Sequence, residues 1–340
     1  MEIKIAIQPP VCQTAVHVGH GLLKGNLPLG KQSVLIAEEA LQDLYAKPLA
    51  ARLGITLLLV PSGESAKTGS AKQHLIEELT MQGVGRDTTL VALGGGSALD
   101  LIGFVASIYL RGTPLVLIPT TLLAMVDAAL GGKNGINLAN GKNLLGTVYP
   151  PSAVIVDLDL LQTLPKTELF NGMAEIVKMG LIQEPSLLSI TDLDQLVLAA
   201  IQAKISVIEQ DPWDRGLRRI LNFGHTMAHA LEAVSNYRMP HGQAVSLGCV
   251  VESYLSMHLG YLPEQEFARI PKTPVRLPEE YDRKRLCEAM ARDKKNKPGE
   301  IRFVLIDRIG HALPFDGEYC RSVDLKDIHA ALDWMEKTFP

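Results

Sequence analysis

Cysteine is scarce and scattered in this chain. Cys12, Cys249, Cys287 and Cys320 show no paired spacing. That excludes a disulfide framework and reads as reduced thiols in a cytoplasmic protein. An excess of positive charge is also missing. Lys and Arg total 33 against 37 Asp and Glu, for a net charge of -4, so a nucleic acid held by bulk charge is not an expected partner. Long apolar runs are absent as well. The most apolar region, LVLIPTTLLAMVDAALGG, is broken by Pro119, Thr120, Thr121 and Asp127 and reads as a buried strand and loop, not a membrane span. The opening residues MEIKIAIQPPV lack the apolar core and cleavage site of a signal peptide. There is no internal repeat and no low-complexity tract.

What is present is a globular composition, 47% hydrophobic and 21% charged over 340 residues. One core rarely grows past about 250–300 residues, so two domains are expected. The first half alternates short apolar runs with helical patterns. KIAI (4–7), SVLIA (33–37), TLLLV (56–60), TLVAL (89–93), LVLIP (115–119) and AVIVD (153–157) are strand candidates. Their near-continuous Val, Ile and Leu content suits strands covered on both faces. Helical stretches at about 38–53 and 68–83 end at Gly54 and Gly83. Strand and helix in series imply a parallel sheet with helices on both sides. Beyond about residue 158 long helical windows take over, at 167–181, 193–210, 217–235 and 241–259. A late strand candidate IRFVLI (301–306) and an amphipathic helix (325–337) follow. The expected fold is therefore an α/β Rossmann-like parallel-sheet domain over residues 1–158, followed by a mainly α-helical domain over 159–340.

TLVALGGGSALDLIGF runs from a strand through Gly94, Gly95 and Gly96 into a helix. Glycine lets backbone approach a ligand, and the free N–H groups of a helix start favour an anion. Asp100 falls in that helix's first turn, where a carboxylate is favoured. The G-x-G-x-x-G fingerprint is incomplete because position 99 is leucine. On its own, the turn fits a nucleotide site or a tight turn that needs glycine for sterics. Glu38, Glu64, Lys67, Thr120 and Thr121 follow other strand candidates. They would stand beyond the carboxyl ends of parallel strands, where open α/β sheets bind ligands. A second stretch, LNFGHTMAHALE, places His225 and His229 four apart. Such a pair can bind metal from one helix face, grip an anion, or serve as core residues, but HTMAH lacks the glutamate of a zinc HExxH helix.

Six segments taken together are more specific. They are GGGSALDLIGF, YLRGTPLVLIPTTLLAMVDAALGGKNGINLANGKNLLG, GMAEIVKMGLI, GLRRILNFGHTMAHALE, HG at 241–242, and RDKKNKPGEIRFVL. In this order and spacing the sequence resembles the 3-dehydroquinate synthase family of sugar phosphate cyclases, over about residues 60–310. The resemblance implies a shikimate-pathway lyase. Such an enzyme converts 3-deoxy-D-arabino-heptulosonate 7-phosphate to 3-dehydroquinate and phosphate, lending a hydride to NAD and taking it back. It also implies a metal, Zn²⁺ or Co²⁺, held by Glu175, His225 and His241, a donor set suited to zinc with one position left open. His229 would then serve the substrate.

The same resemblance implies an anion cage of Arg111, Lys133, Lys142, Lys178, Lys204, Arg218 and one of Lys294 and Lys295. Asn143, Asn222 and His229 would add hydrogen bonds, with Asp127 and Asp214 as orienting carboxylates. Glu38, Glu64, Lys67, Gly94, Gly95, Gly96, Asp100, Thr120, Thr121 and Lys142 would hold NAD. A homodimer is expected, with Arg111 reaching a neighbouring subunit's site, and neither nucleic acid nor membrane is an expected partner. Leu99, Gln243 and Glu38 depart from residues common in the family, Gln243 standing where glutamate usually supports the histidine ligand. The competing readings are a glycerol-dehydrogenase-type enzyme, a sister cyclase, and a non-catalytic nucleotide-binding protein. The cation-rich GGKNGINLANGKN segment argues against the first, since a polyol needs no such cage.

Overall fold

A computed structural model describes residues 13–138, 141–273, 275–291 and 300–339. The expected strand at 4–7, Cys12, Lys294 and Lys295 lie outside them. The described chain divides into two compact units. One holds residues through Thr120 together with Ala128–Asp159; the other holds Thr121–Asp127 and residues from Leu160 onward.

The first unit is built on a six-stranded parallel sheet. Its strands are β1 (Ala15–Gly19), β2 (Ser33–Glu38), β3 (Thr56–Val60), β4 (Thr89–Gly94), β5 (Leu115–Pro119) and β8 (Ala153–Asp157), in the order β1-β8-β5-β4-β2-β3. β4, β5 and β8 are buried along their whole length, as their unbroken apolar runs require when helices cover both faces. The helices α1 (Lys47–Leu53), α2 (Gly69–Met81) and α3 (Gly96–Ile108) lie between strands in the chain. β1 was not legible as a strand. AVHVG alternates, and its burial alternates with it, as suits an edge strand paired on one side only. The helix expected at 38–53 is a 3₁₀ turn at Glu39–Leu41 and a π turn at Gln42–Ala46 before α1.

An antiparallel hairpin, β6 (Lys133–Leu138) with β7 (Gly141–Val148), also belongs to this unit. It was hidden because Gly135 and Gly146 face one another across it and break the apolar alternation that marks a strand. A Cβ on Gly146 would overlap the Asn134 carbonyl, so the strands meet there only as glycines.

The second unit is mainly helical. It contains α4 (Lys166–Ile182), α5 (Leu193–Gln210), α6 (His225–Val234), α7 (His241–His258), α8 (Glu264–Ala268), α9 (Arg283–Ala291) and α10 (Leu325–Thr338). The helical window at 217–235 breaks at Gly224, into a 3₁₀ turn (Leu217–Asn222) and α6. IRFVLI is divided too. Arg302–Phe303 pairs with Arg321–Ser322, and Ile306–Arg308 pairs with His311–Ala312. Among the described residues no helix is long and apolar enough to cross a membrane.

One buried carboxylate ties the edge of the sheet. Asp157, the last residue of β8, accepts hydrogen bonds from the backbone N–H groups of Gly21 (3.0 Å), Leu23 (2.8 Å) and Asp159 (3.2 Å). The Asp157→Ala variant strands those donors and is expected to lose about 2 kcal/mol of stability, as for hydrogen bonds to a charged group. Chemical denaturation measures this, and an unchanged midpoint would show that the donors find other partners.

Candidate functional site

In the first unit the glycine turn is shaped by close approach. Gly94 ends β4, Gly95 is extended, and Gly96 opens α3. A Cβ on Gly94 would stand 2.9 Å from that of Ala98 and 3.0 Å from Glu38 Cγ. Glu38, at the end of β2, accepts the Gly95 N–H at 2.9 Å. The Thr120 N–H bonds the Gly94 carbonyl at 2.9 Å. Leu99 is buried in the core, so the residue that breaks the fingerprint packs inward from α3.

Around this turn runs a polar network. Lys67, itself buried, pairs with Asp100 at 2.6 Å and also donates to the Asn143 side chain. Glu64 accepts from Asn137 (2.6 Å) and Ser97 (3.0 Å), and Lys142 stands 3.7 Å away. Burial alone would raise the Glu64 carboxyl, but the Asn137 hydrogen bond and the charges of Lys142 and Lys67 hold it below its ordinary value. The structure thus brings Glu38, Glu64, Lys67, Asp100, Thr120, Lys142 and Asn143 to the glycine turn or to its neighbours. Lys133 and Arg111 are exposed elsewhere in this unit. Leu110 and Arg111 take successive left-handed conformations, φ 50 and 67, which cost energy in residues other than glycine.

In the second unit three helices converge. Glu175 and Lys178 lie one turn apart on α4, both buried and ion-paired. His225 is the first residue of α6 and His241 the first of α7. Glu175 Oε1 lies 3.4 Å from His225 Nε2 and 3.3 Å from His241 Nε2. The Nδ1 of His225 bonds the Phe223 carbonyl at 3.0 Å. A carbonyl only accepts, so the proton of a neutral His225 is on Nδ1 and Nε2 is the lone-pair nitrogen. The Nδ1 of His241 lies 3.3 Å from Glu232 Oε1. One donor atom from each of Glu175, His225 and His241 falls within 4.8 Å of the others.

This donor set fits a zinc-like ion. It offers a carboxylate and two imidazoles, and the far nitrogen of each ring is already engaged, which fixes its orientation. Burial, then the Lys178 charge, push His225 down to about 4 against the pull of Glu175. Burial would lower His241 too, but hydrogen bonds to Glu175 and Glu232 and their charges raise it to about 10. A proton on His241 thus supplies positive charge between two carboxylates, where a cation would supply it instead. His229 stands apart from the triad. It is exposed, its ring edge-on to His225 with centroids 5.3 Å apart.

The cations form a second layer. Lys204 pairs with Asp127. Burial lowers the Lys204 ammonium and the Lys178 charge adds to that, more than Asp127 restores. Lys178 goes the other way, raised above its ordinary value by Glu175 and Asp127 in spite of its burial. Arg218 is buried and donates to the Pro212 carbonyl at 3.0 Å. Asn222 donates to the Arg219 carbonyl at 3.1 Å. Thr121 accepts the Ala124 N–H at 3.1 Å, in the turn that leads to Asp127.

Two residues here escaped the sequence reading. Glu232 supports His241, whereas Gln243 is exposed; the one sequence signal for Glu232 is its position seven after His225, on the same face of α6. Asp211 shapes the loop before Arg218 by accepting the N–H groups of Arg215 (2.9 Å), Gly216 (2.7 Å) and Arg218 (3.0 Å).

Comparison with known proteins identifies close relatives. Residues 57–171 match the family model described as 3-dehydroquinate synthase N-terminal, and residues 172–296 the model described as 3-dehydroquinate synthase C-terminal. The chain is 44% identical over 275 residues to the 3-dehydroquinate synthase of Corynebacterium jeikeium, covering 76% of this chain and 75% of that one. It is 38% identical over 330 residues to that of Symbiobacterium thermophilum, covering 88% and 92%. Among solved structures it is similar to a 2-epi-5-epi-valiolone synthase from Streptomyces hygroscopicus subsp. jinggangensis with NAD⁺ and Zn²⁺ bound. There the TM-score is 0.87 at 27% identity, over 99% of this chain and 100% of that one.

The geometry predicts distinct metal phenotypes. Glu175→Ala, His225→Ala and His241→Ala are each expected to abolish tightly bound zinc while the fold persists. Glu232→Gln should weaken zinc about 10-fold or more, as loss of an outer partner does. His229→Ala should retain it. Elemental analysis of the purified variants decides, and stoichiometric zinc in His241→Ala would refute the ligand set.

Proposed function

We propose that this chain, which belongs to the 3-dehydroquinate synthase family, converts 3-deoxy-D-arabino-heptulosonate 7-phosphate to 3-dehydroquinate and phosphate as a shikimate-pathway lyase. The observation that carries this reading beyond family membership is the company of the donor set. Lys178, Lys204 and Arg218 are all buried, and the charge of Asp127 acts on each of them. Burying cations is costly unless anions offset it; Glu175 and Asp127 pair with Lys178 and Lys204, and a substrate with a carboxylate and a phosphate suits the positive charge that remains.

Zinc on Glu175, His225 and His241 would bind substrate hydroxyls and lower their pKa. NAD, held at Gly94–Gly96 with Glu38 at the ribose and Glu64, Lys67, Asp100, Thr120, Thr121 and Lys142 around it, would accept a hydride and return it. The remaining work is positioning and electrostatics. Lys178 is held protonated by Glu175 and Asp127 and acts as a fixed positive charge as phosphate leaves. Lys204, lowered by burial, is the ammonium that more readily hands on its proton. Arg218, Lys133, Asn143, Asn222 and His229 are assigned to the substrate by their match to the family's motif, with Asp214 orienting the cations. The parallel-sheet unit is then the NAD-binding domain, and the helical unit the metal- and substrate-binding domain.

We assign the protein to the cytoplasm, consistent with described cysteines that are all free, and to a homodimer in which Arg111 serves a neighbouring subunit. The left-handed Leu110 and Arg111, both exposed, support the last point, because strained exposed backbone is kept where it has a task.

Two measurements test this reading. Phosphate release from the heptulosonate phosphate should far exceed any NADH that accumulates, because a borrowed hydride is given back; NADH growing one-for-one with product would instead mark a dehydrogenase. Mixing inactive Arg111→Ala and His225→Ala chains should restore part of the activity through mixed dimers. A monomer by sedimentation would rule out the shared site.

A further inference from the structure

α6 begins without a cap of its own. Its N-cap residue, Gly224, has no side chain, and Met227, at the third helical position, carries no side-chain acceptor for that N–H. In a capping box these two positions satisfy each other's backbone N–H groups through their side chains. Neither can do so here. Nor is another residue admissible at position 224, where φ is 77 and a Cβ would stand 2.6 Å from Cys249 Sγ and 2.8 Å from Cys249 N. Both N–H groups are nevertheless bonded, and to one side chain. Glu252, three turns into α7, accepts the Gly224 N–H on Oε2 at 2.8 Å and the Met227 N–H on Oε1 at 3.3 Å. Its exposure is 0%.

We propose that Glu252 is a positioning residue of the metal site: its carboxylate performs both halves of a capping box from the neighbouring helix and so sets where His225 presents its imidazole. His225 follows the first of those bonds directly and with Thr226 fills the span between them, and its ring is tied by Nδ1 to the Phe223 carbonyl. The ring therefore follows the backbone of residues 223–227, and that backbone follows Glu252. Only a carboxylate suits the place. Two acceptors are needed on one rigid group, and a negative charge is favoured at the positive end of a helix. Glutamine offers one acceptor and would turn its NH₂ toward the second N–H. The inference rests on the reading of Glu175, His225 and His241 as ligands, since it gives Glu252 its task through one of them.

The test compares the full-length wild type with Glu252→Gln and Ser256→Ala. The readouts are Zn²⁺ dissociation constants by chelator competition and the visible spectra of the Co²⁺-loaded proteins. Ser256 is the control for loss of a buried bond. It is fully buried one turn further along α7, donates to the Glu252 carbonyl at 2.9 Å and accepts the Ile306 N–H at 3.2 Å. Glu252→Gln is expected to weaken Zn²⁺ about 10-fold, the usual order for outer-shell partners, and to shift the cobalt bands. Ser256→Ala should lower the thermal midpoint and leave both readouts unchanged. If Glu252→Gln fails to fold, Glu252→Asp, which keeps the charge and both oxygens but falls short by a methylene, should show a several-fold weakening. Wild-type zinc affinity and spectrum in the folded Glu252 variant overturn the proposal, as does equal weakening in Ser256→Ala. A wild type that binds no Zn²⁺ removes the ligand set itself, and the role of Glu252 with it.

Discussion

The approach of α6 to α7 at two glycines is the constraint on which the helical unit depends. A Cβ on Gly248 would overlap the Gly224 carbonyl, and one on Gly224 would strike Cys249, so the two backbones pack with nothing between them. Each helix then begins with an imidazole, His225 on one and His241 on the other. α4 joins by the same means. The Asn171 side chain accepts the Gly242 N–H at 2.8 Å, and a Cβ on Gly242 would stand 2.6 Å from Asn171 Cα. That contact brings Glu175, one turn beyond Asn171, under both imidazoles. Close helix packing through small residues thus does for this site what a rigid loop does elsewhere: it removes the freedom of the side chains' anchors before any ligand arrives.

Charge is distributed to match. The positive ends of α6 and α7 carry histidines, whose added protons a helix start would disfavour, and the surrounding carboxylates offset that field. Glu175 faces both rings, and Glu232 backs His241. Beyond them the negative charge of Asp127 acts on both Lys178 and Lys204. Such an arrangement is expensive to bury, and its worth lies in preorganisation, because charged groups already held in place need not reorient when charge develops on a substrate.

Much of this was readable from local pattern. The strands β2, β3, β4, β5 and β8 follow from apolar runs, and α5 falls at 193–210 as its periodicity requires. Failures came where local pattern carries little signal. β1 interrupts its apolar run with His17 and ends on Gly19, the β6–β7 hairpin has glycines where alternation would show, and the window at 217–235 hid a left-handed glycine that splits it. The candidate ligands were visible through motif likeness, but their supports were not. Glu232 shares a face of α6 with His225, but its contact is with His241 on another helix; Asp211 acts through backbone N–H groups that no spacing rule singles out, and Gln243, where glutamate was expected, is exposed.

By itself, then, the sequence determined the kinds of element and their order, because hydrophobic period and glycine placement act over a few residues and are written there. It also determined which chemistry was available, since imidazoles, carboxylates and cations stand in a recognisable order along the chain. Only the tertiary structure decided which groups meet. Glu175, His225 and His241 lie within 4.8 Å of one another although 66 residues separate the first from the last, and Gly224 meets Cys249 across 25 positions of chain. Those meetings depend on how closely two backbones can approach, a property of paired surfaces that neither segment carries alone.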